Sequence, residues 1–130
     1  MGHRRRERSV NALAVSVGAA LGALTRWQAG LLFNARWAGF PLGTLLVNLV
    51  GGFLIGVALE WFGRQPNEVL KLLLVTGFLG GLTTFSAFSG ESLTLLRHGQ
   101  LGMALAHTLA HVLGSLLAAW AGMKALQVLL

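Results

Sequence analysis

The chain has no cysteine and no aspartate, and only 11% of its residues are charged. Without cysteine there can be no disulfide and no thiolate metal site, and the redox compartment is left open. Soluble domains carry about 25% charged residues, so roughly half the usual charge is missing. Together with 55% hydrophobic residues and a mean hydropathy of +0.69, this deficit excludes an ordinary soluble globule. It implies an all-α integral membrane protein with a single membrane domain over residues 1–130. What charge there is lies unevenly: Arg4, Arg5, Arg6 and Arg8 fall in a basic N-terminal tail, residues 1–8, beside a lone Glu7. On a membrane protein such a run rests on anionic headgroups. The lipid bilayer is the expected partner and nucleic acid is not.

A helix needs about 20 mostly apolar residues to cross a bilayer. Stretches at about 10–33, 42–62, 69–96 and 101–123 meet that need, which predicts four transmembrane helices. Pro41 can open the second at its first turn, after the loop NARWAGFP. The turn-like GRQPNE of 63–68 separates the second from the third. Arginines before an apolar core resemble a signal peptide, but no A-x-A-like cleavage site is evident, so the first span reads as a retained helix. Short connections make consecutive helices antiparallel neighbours. Glycine numbers 18, and the pairs Gly18/Gly22 and Gly52/Gly56 have the spacing that lets helix backbones approach closely in lipid. Four short helices with polar faces make a very small unit, and oligomerisation is expected.

Topology follows from the basic residues. One face holds Arg4, Arg5, Arg6, Arg8, Arg64, Lys71 and Lys124; the other holds Arg36 and Arg97. The positive-inside rule then predicts a cytoplasmic N-terminus. Without the four tail arginines the two faces are nearly balanced.

Polar groups at membrane depth must find a partner or line a cavity. Thr44 and Asn48 lie one turn apart in the second span. His107, His111 and Ser115 repeat at i, i+4 and i+8 in the fourth. The third carries Thr83, Thr84, Ser86, Ser89, Glu91 and Ser92. Three polar faces in so small a chain predict a shared hydrophilic path rather than interhelical hydrogen bonding alone. Two histidines one turn apart could also bind a transition metal, but that needs further ligands, and cysteine and aspartate are absent. No nucleophile motif or cofactor fingerprint accompanies Glu91 and the histidines, so no enzyme is expected. Arg26, well inside the first span, is expected to snorkel to the nearer interface rather than to pair with a buried helix-end carbonyl.

The most unusual stretch is GFLGGLTTFSAFSGES, residues 77–92. Gly80–Gly81 weakens the helix, and Thr83 and Thr84 can compete for backbone hydrogen bonds. A break there is tolerated only against protein or a water-filled cavity. It would free carbonyls suited to a hard cation, while a half-helix starting near Thr84 would point its positive end at the break and favour an anion. Phe85 and Phe88 share a face, and aromatic edges are positive. An anion path results, with the anion unspecified.

GALTRW (22–27), PLGTLLVNLVGGFLIG (41–56) and GFLGGLTTFSAFSGES together resemble the Fluc (CrcB) family of bacterial fluoride channels, over essentially the entire chain. The resemblance implies an antiparallel, dual-topology homodimer in the bacterial inner membrane, with two pores that passively export toxic fluoride. It implies that Phe85 and Phe88 are the aromatics whose edges face fluoride and that Asn48 lines the pore. Thr84, Ser86 and Ser115 fall on a polar track, with Glu91, His107 and His111 beside it. The main-chain carbonyls of Gly80 and Thr83 would hold a structural Na+, and Arg26 would be structural. Two positions depart from the family's pattern: Ala87 stands in TTFSAFS where TTFSTFS is frequent, and His107 stands where Tyr or Asn is common. An alternative from the residues alone is a small drug or cation exporter, which would place a carboxylate in an early span; the first here is Glu60, near a helix end. Another is a non-transporting assembly subunit held by its glycine faces.

Overall fold

The computed structural model describes residues 1–35 and 40–130. Arg36 and the middle of the NARWAGFP loop lie outside the described residues. Among the described residues, four helical stretches are long and apolar enough to cross a membrane: Gly2–Phe33, Leu42–Arg64, Glu68–Arg97 and Leu101–Leu129. The chain is an all-helical, multi-pass membrane protein.

Helix α1 (Gly2–Phe33) has 32 residues, a length of about 48 Å against a hydrocarbon core of about 30 Å. The basic segment is therefore no separate tail, since Arg4 to Arg8 form the opening turns of α1 itself. Helix α2 (Leu42–Arg64) begins directly after Pro41, which has extended backbone angles, as its ring allows at a helix start.

The third span is composite. A short α3 (Glu68–Lys71) is capped by Asn67, whose side chain accepts from the Leu70 amide at 3.0 Å. It runs into a π-helical segment, Leu72–Leu79, then one turn of α4 (Gly80–Leu82). Thr83 and Thr84 are extended, and α5 (Phe85–Arg97) follows. The predicted break exists but is displaced. Gly80 and Gly81 remain helical, and the chain leaves the helix at the two threonines. The reason is local. The Thr83 hydroxyl bonds the Leu79 carbonyl at 2.8 Å, ending the turn, while Gly81 is held against α1: a Cβ there would meet the Ala23 amide at 3.0 Å. The glycine serves close packing, not unwinding. After α5, Gly99 at φ 71° makes the turn in the left-handed region where side chains are strained, and α6 (Leu101–Leu129) returns.

Packing follows small residues. The first half of the third span lies on α1, and the most extensive helix contact is α2 on α6. Gly22 sits where a Cβ would strike the Phe78 carbonyl and approach the Leu82 amide to 2.7 Å. Gly56 plays the same part opposite Ala119 on α6. Dispersion gained by such backbone contact is the main source of helix association in lipid.

Candidate functional site

The polar residues of three helices converge on the Thr83–Thr84 break. Asn48 of α2 is its clamp. Asn48 Oδ1 accepts from the Thr84 amide at 2.9 Å, and Nδ2 donates to the Thr84 carbonyl at 3.2 Å. This replaces helical hydrogen bonds that the extended backbone cannot make, as a buried chain requires. Thr84 then caps α5, its hydroxyl accepting from the Ala87 amide at 3.1 Å and lying 3.2 Å from Ser86 Oγ. The positive end of α5 therefore opens at the break.

A groove of about 660 Å³ runs along this face, walled by Asn48, Gly80, Thr83, Thr84, Phe85, Phe88, His111 and Ser115 among others. Phe85 and Phe88 have ring centroids 5.4 Å apart. They differ in setting: Phe88 is buried, whereas Phe85 is 78% exposed, an unusual state for a ring beside a polar break. Ser86 is exposed and does not border the groove.

Behind Phe88 lies a second polar cluster. Thr44 Oγ1 donates to Glu91 Oε2 at 2.7 Å. Glu91 Oε1 lies 3.1 Å from His107 Nε2, and His107 Nδ1 lies 2.8 Å from Ser92 Oγ. His107 is fully buried and stacks on Phe88, centroids 5.4 Å apart and planes 14° from parallel. His111 joins the two clusters. Its Nδ1 is 3.0 Å from Asn48 Nδ2, and its ring lies 4.8 Å from that of Phe88. Glu91, His107 and His111 each bring one ligand-type atom within 4.8 Å of the others. Glu91 is thus the further ligand that a metal reading of the two histidines lacked.

Neither Glu91 nor His107 borders the groove among the described residues; both stand one layer deeper than a place on its wall. Thr44 and Ser92, visible in the sequence only as members of polar stripes, prove to be the hydrogen-bond partners that hold this layer. Arg26 departs from its expectation. Its Nε donates to the Gly81 carbonyl at 3.0 Å, so it satisfies the last helical turn before the break instead of snorkelling outward. Glu60 is engaged with Arg64 at 2.8 Å and Gln127 at 3.0 Å at the far end of α2, away from the groove.

Comparison with known proteins identifies the family. Residues 13–123 match the family model described as CrcB-like protein, Camphor Resistance (CrcB). A protein of Aromatoleum aromaticum named fluoride-specific ion channel FluC is 55% identical over 115 residues, covering 87% of this chain and 88% of that relative. Relatives of the same name from Chromobacterium violaceum and Tolumonas auensis are 51% and 50% identical. The former alignment covers 88% of this chain and 93% of that relative, the latter 90% and 94%. These are ion channels and not enzymes, and with most of its length matched the chain belongs to the CrcB family.

Proposed function

We propose that the chain is a fluoride-selective channel that passively exports fluoride across the bacterial inner membrane and relieves fluoride toxicity. The observation that carries this reading is the break itself: the N-terminal end of α5, Phe85, Phe88, His111 and Ser115 all border one groove. Fluoride is small and strongly hydrated, so it enters a narrow path only where donors replace its water, the replacement logic of selectivity filters. Hydroxyls, the α5 amides and positive aromatic edges offer that replacement without a full cation that would hold the ion too tightly. The names of the relatives specify the halide; the geometry supports an anion.

The functional unit is an antiparallel, dual-topology homodimer. Phe85 is 78% exposed, and the groove is not enclosed. A second copy would close it. Na+ at the dimer centre fits the same face. The Thr84 amide bonds Asn48 rather than continuing the helix, so the Gly80 and Thr83 carbonyls are suited to a hard cation that takes oxygen ligands. One copy's two carbonyls leave a hard cation incompletely ligated, and a second copy would supply two more. The ion's contribution is to hold the two breaks together; it is not conducted.

Liposomes loaded with fluoride or chloride and followed with an ion electrode test the reading. Rapid fluoride efflux with negligible chloride efflux is expected. Equal rates, or none, would overturn it. Replacing sodium with a large organic cation is expected to abolish flux, and retained flux would remove Gly80 and Thr83 from a cation site.

A further inference from the structure

Helix α1 starts outside the hydrocarbon, and its two sides differ there in charge. Its apolar part, about 10–33, is long enough by itself to cross a core of roughly 30 Å, which leaves the turns before it at headgroup level. On a helix, residues three and four apart share a side. His3, Arg6, Glu7 and Val10 fall on one side and border a depression with Glu68 and Val69 of the third span. That side is mixed in charge. His3 Nε2 lies 3.0 Å from Glu7 Oε1, and Arg6 borders the same space as Glu68.

Arg4, Arg5 and Arg8 fall on the other side, around a concavity of about 700 Å³ bordered, among the described residues, by the opening turns of α1 alone. All three are exposed, and among the described residues none pairs with a carboxylate. Like charges this close on a helix repel, and no contact within the fold offsets the repulsion. Residues 1–12 also precede the stretch matched by the family, 13–123, so membership of that family does not account for the pattern. An anion from outside the chain does.

Depth and chemistry select the anion. The rise from Arg4 to Arg8 is about 6 Å, within the roughly 5–8 Å of headgroup layer on each side of the core. A phosphodiester offers paired oxygens that a guanidinium meets bidentately. We propose that Arg4, Arg5 and Arg8 form a clamp for the phosphates of anionic phospholipid, with phosphatidylglycerol as the simplest ligand, and that Arg6 stands outside it. A zwitterionic lipid is disfavoured because its own ammonium group meets the arginines. Nucleic acid carries the same phosphates, but at this depth the arginines meet lipid first. The clamp lies away from the groove and does not depend on which ion crosses. In an antiparallel pair each leaflet would receive one.

Full-length protein in phosphatidylcholine vesicles, with a trace of spin-labelled phosphatidylglycerol or spin-labelled phosphatidylcholine, provides the test. Electron paramagnetic resonance separates lipid held at the protein from free lipid. Held phosphatidylglycerol is expected to exceed held phosphatidylcholine severalfold at low salt. Most of that excess is expected to vanish at about 1 M salt, where the screening length is roughly 3 Å. An arginine at the membrane surface is worth roughly fivefold in binding, so Arg4→Gln, Arg5→Gln and Arg8→Gln are each expected to lower the excess by up to about that factor, and together to abolish it. Arg6→Gln removes the same charge and is expected to change it least. No excess in the wild type, or equal losses for Arg6→Gln and Arg8→Gln, would overturn the clamp. Release of the held lipid by inorganic phosphate at constant ionic strength, or by a labelled oligonucleotide, would assign the arginines to a different anion and overturn it as well. Fluoride efflux from the same vesicles is expected to be unchanged in the triple variant. A missing lipid preference beside intact efflux therefore defeats the clamp and leaves the channel reading standing.

Discussion

Thr84 uses every polar atom it has. Its amide and carbonyl are bonded to Asn48, and its hydroxyl caps α5 and touches Ser86. Thr84→Val keeps the shape and removes the cap, so a loss of about 1 kcal/mol is expected in reversible unfolding. Asn48→Ala is expected to cost more, because it leaves the Thr84 amide and carbonyl unpaired in a buried break. A smaller loss than that of Thr84→Val would show that water replaces the clamp. Phe85→Ile is expected to reduce fluoride flux strongly while size-exclusion chromatography finds the assembly state of the wild type; unchanged flux would remove the ring from the path. At this scale the sequence is half legible. That Phe85 and Phe88 lie on one helix face follows from their spacing, and the structure puts their rings 5.4 Å apart. Which backbone group Asn48 grips does not follow, because spacing within one helix says nothing about the register of the helix opposite. The partner of Arg26 escapes the sequence for the same reason, since its acceptor, Gly81, is 55 residues away.

Among the elements, the third span departs most from its sequence pattern. Two adjacent glycines mark a weak helix by propensity, yet both are helical, because the backbone of α1 occupies the space beside Gly81. Tertiary packing outweighs propensity, and the threonines, with their own hydroxyl and backbone bonds, end the helix instead. Nothing in the composition of LLLVTGFL distinguishes the π-helical turns from ordinary helix. The four apolar spans, by contrast, are plain in the sequence because lipid demands a long unbroken run. Small residues at crossings give this scale its prediction. Gly22→Val drives a branched Cβ against the Phe78 carbonyl and Leu82 amide, and a loss of at least 1–3 kcal/mol is expected, the usual range for overpacking. Gly63→Ala on α2 meets nothing within 4 Å. It is expected to raise stability by about 0.5–1 kcal/mol. Thermal melting of the two variants in detergent compares them directly, and equal effects would refute the role given to the crossing.

At the scale of the whole molecule, the basic residues outside the opening turns of α1 divide almost evenly between the ends of the spans, Arg64, Lys71 and Lys124 against Arg36 and Arg97. Replacing Arg4, Arg5, Arg6 and Arg8 by glutamine is expected to leave helix content and flux per folded channel unchanged. Because the chain has no cysteine, Gln65→Cys at the exposed end of α2 gives a single reporter of orientation. Labelling by a membrane-impermeant maleimide from both sides of sealed vesicles is expected if, as proposed, the chain inserts in both orientations. Labelling from one side alone would refute dual topology. The third span also divides its allegiance. Its first half packs on α1, its second half packs on α6, and α2 touches both. The molecule thus resembles two panels meeting at a seam, with Asn48 as the stitch. Stretch between the panels, such as a thicker bilayer would impose, falls on the extended pair Thr83–Thr84, the part of the span with no helical turn to resist it. Thr83 and Thr84 border the groove, so fluoride flux is expected to vary with the acyl-chain length of the bilayer, which efflux from vesicles of graded thickness checks.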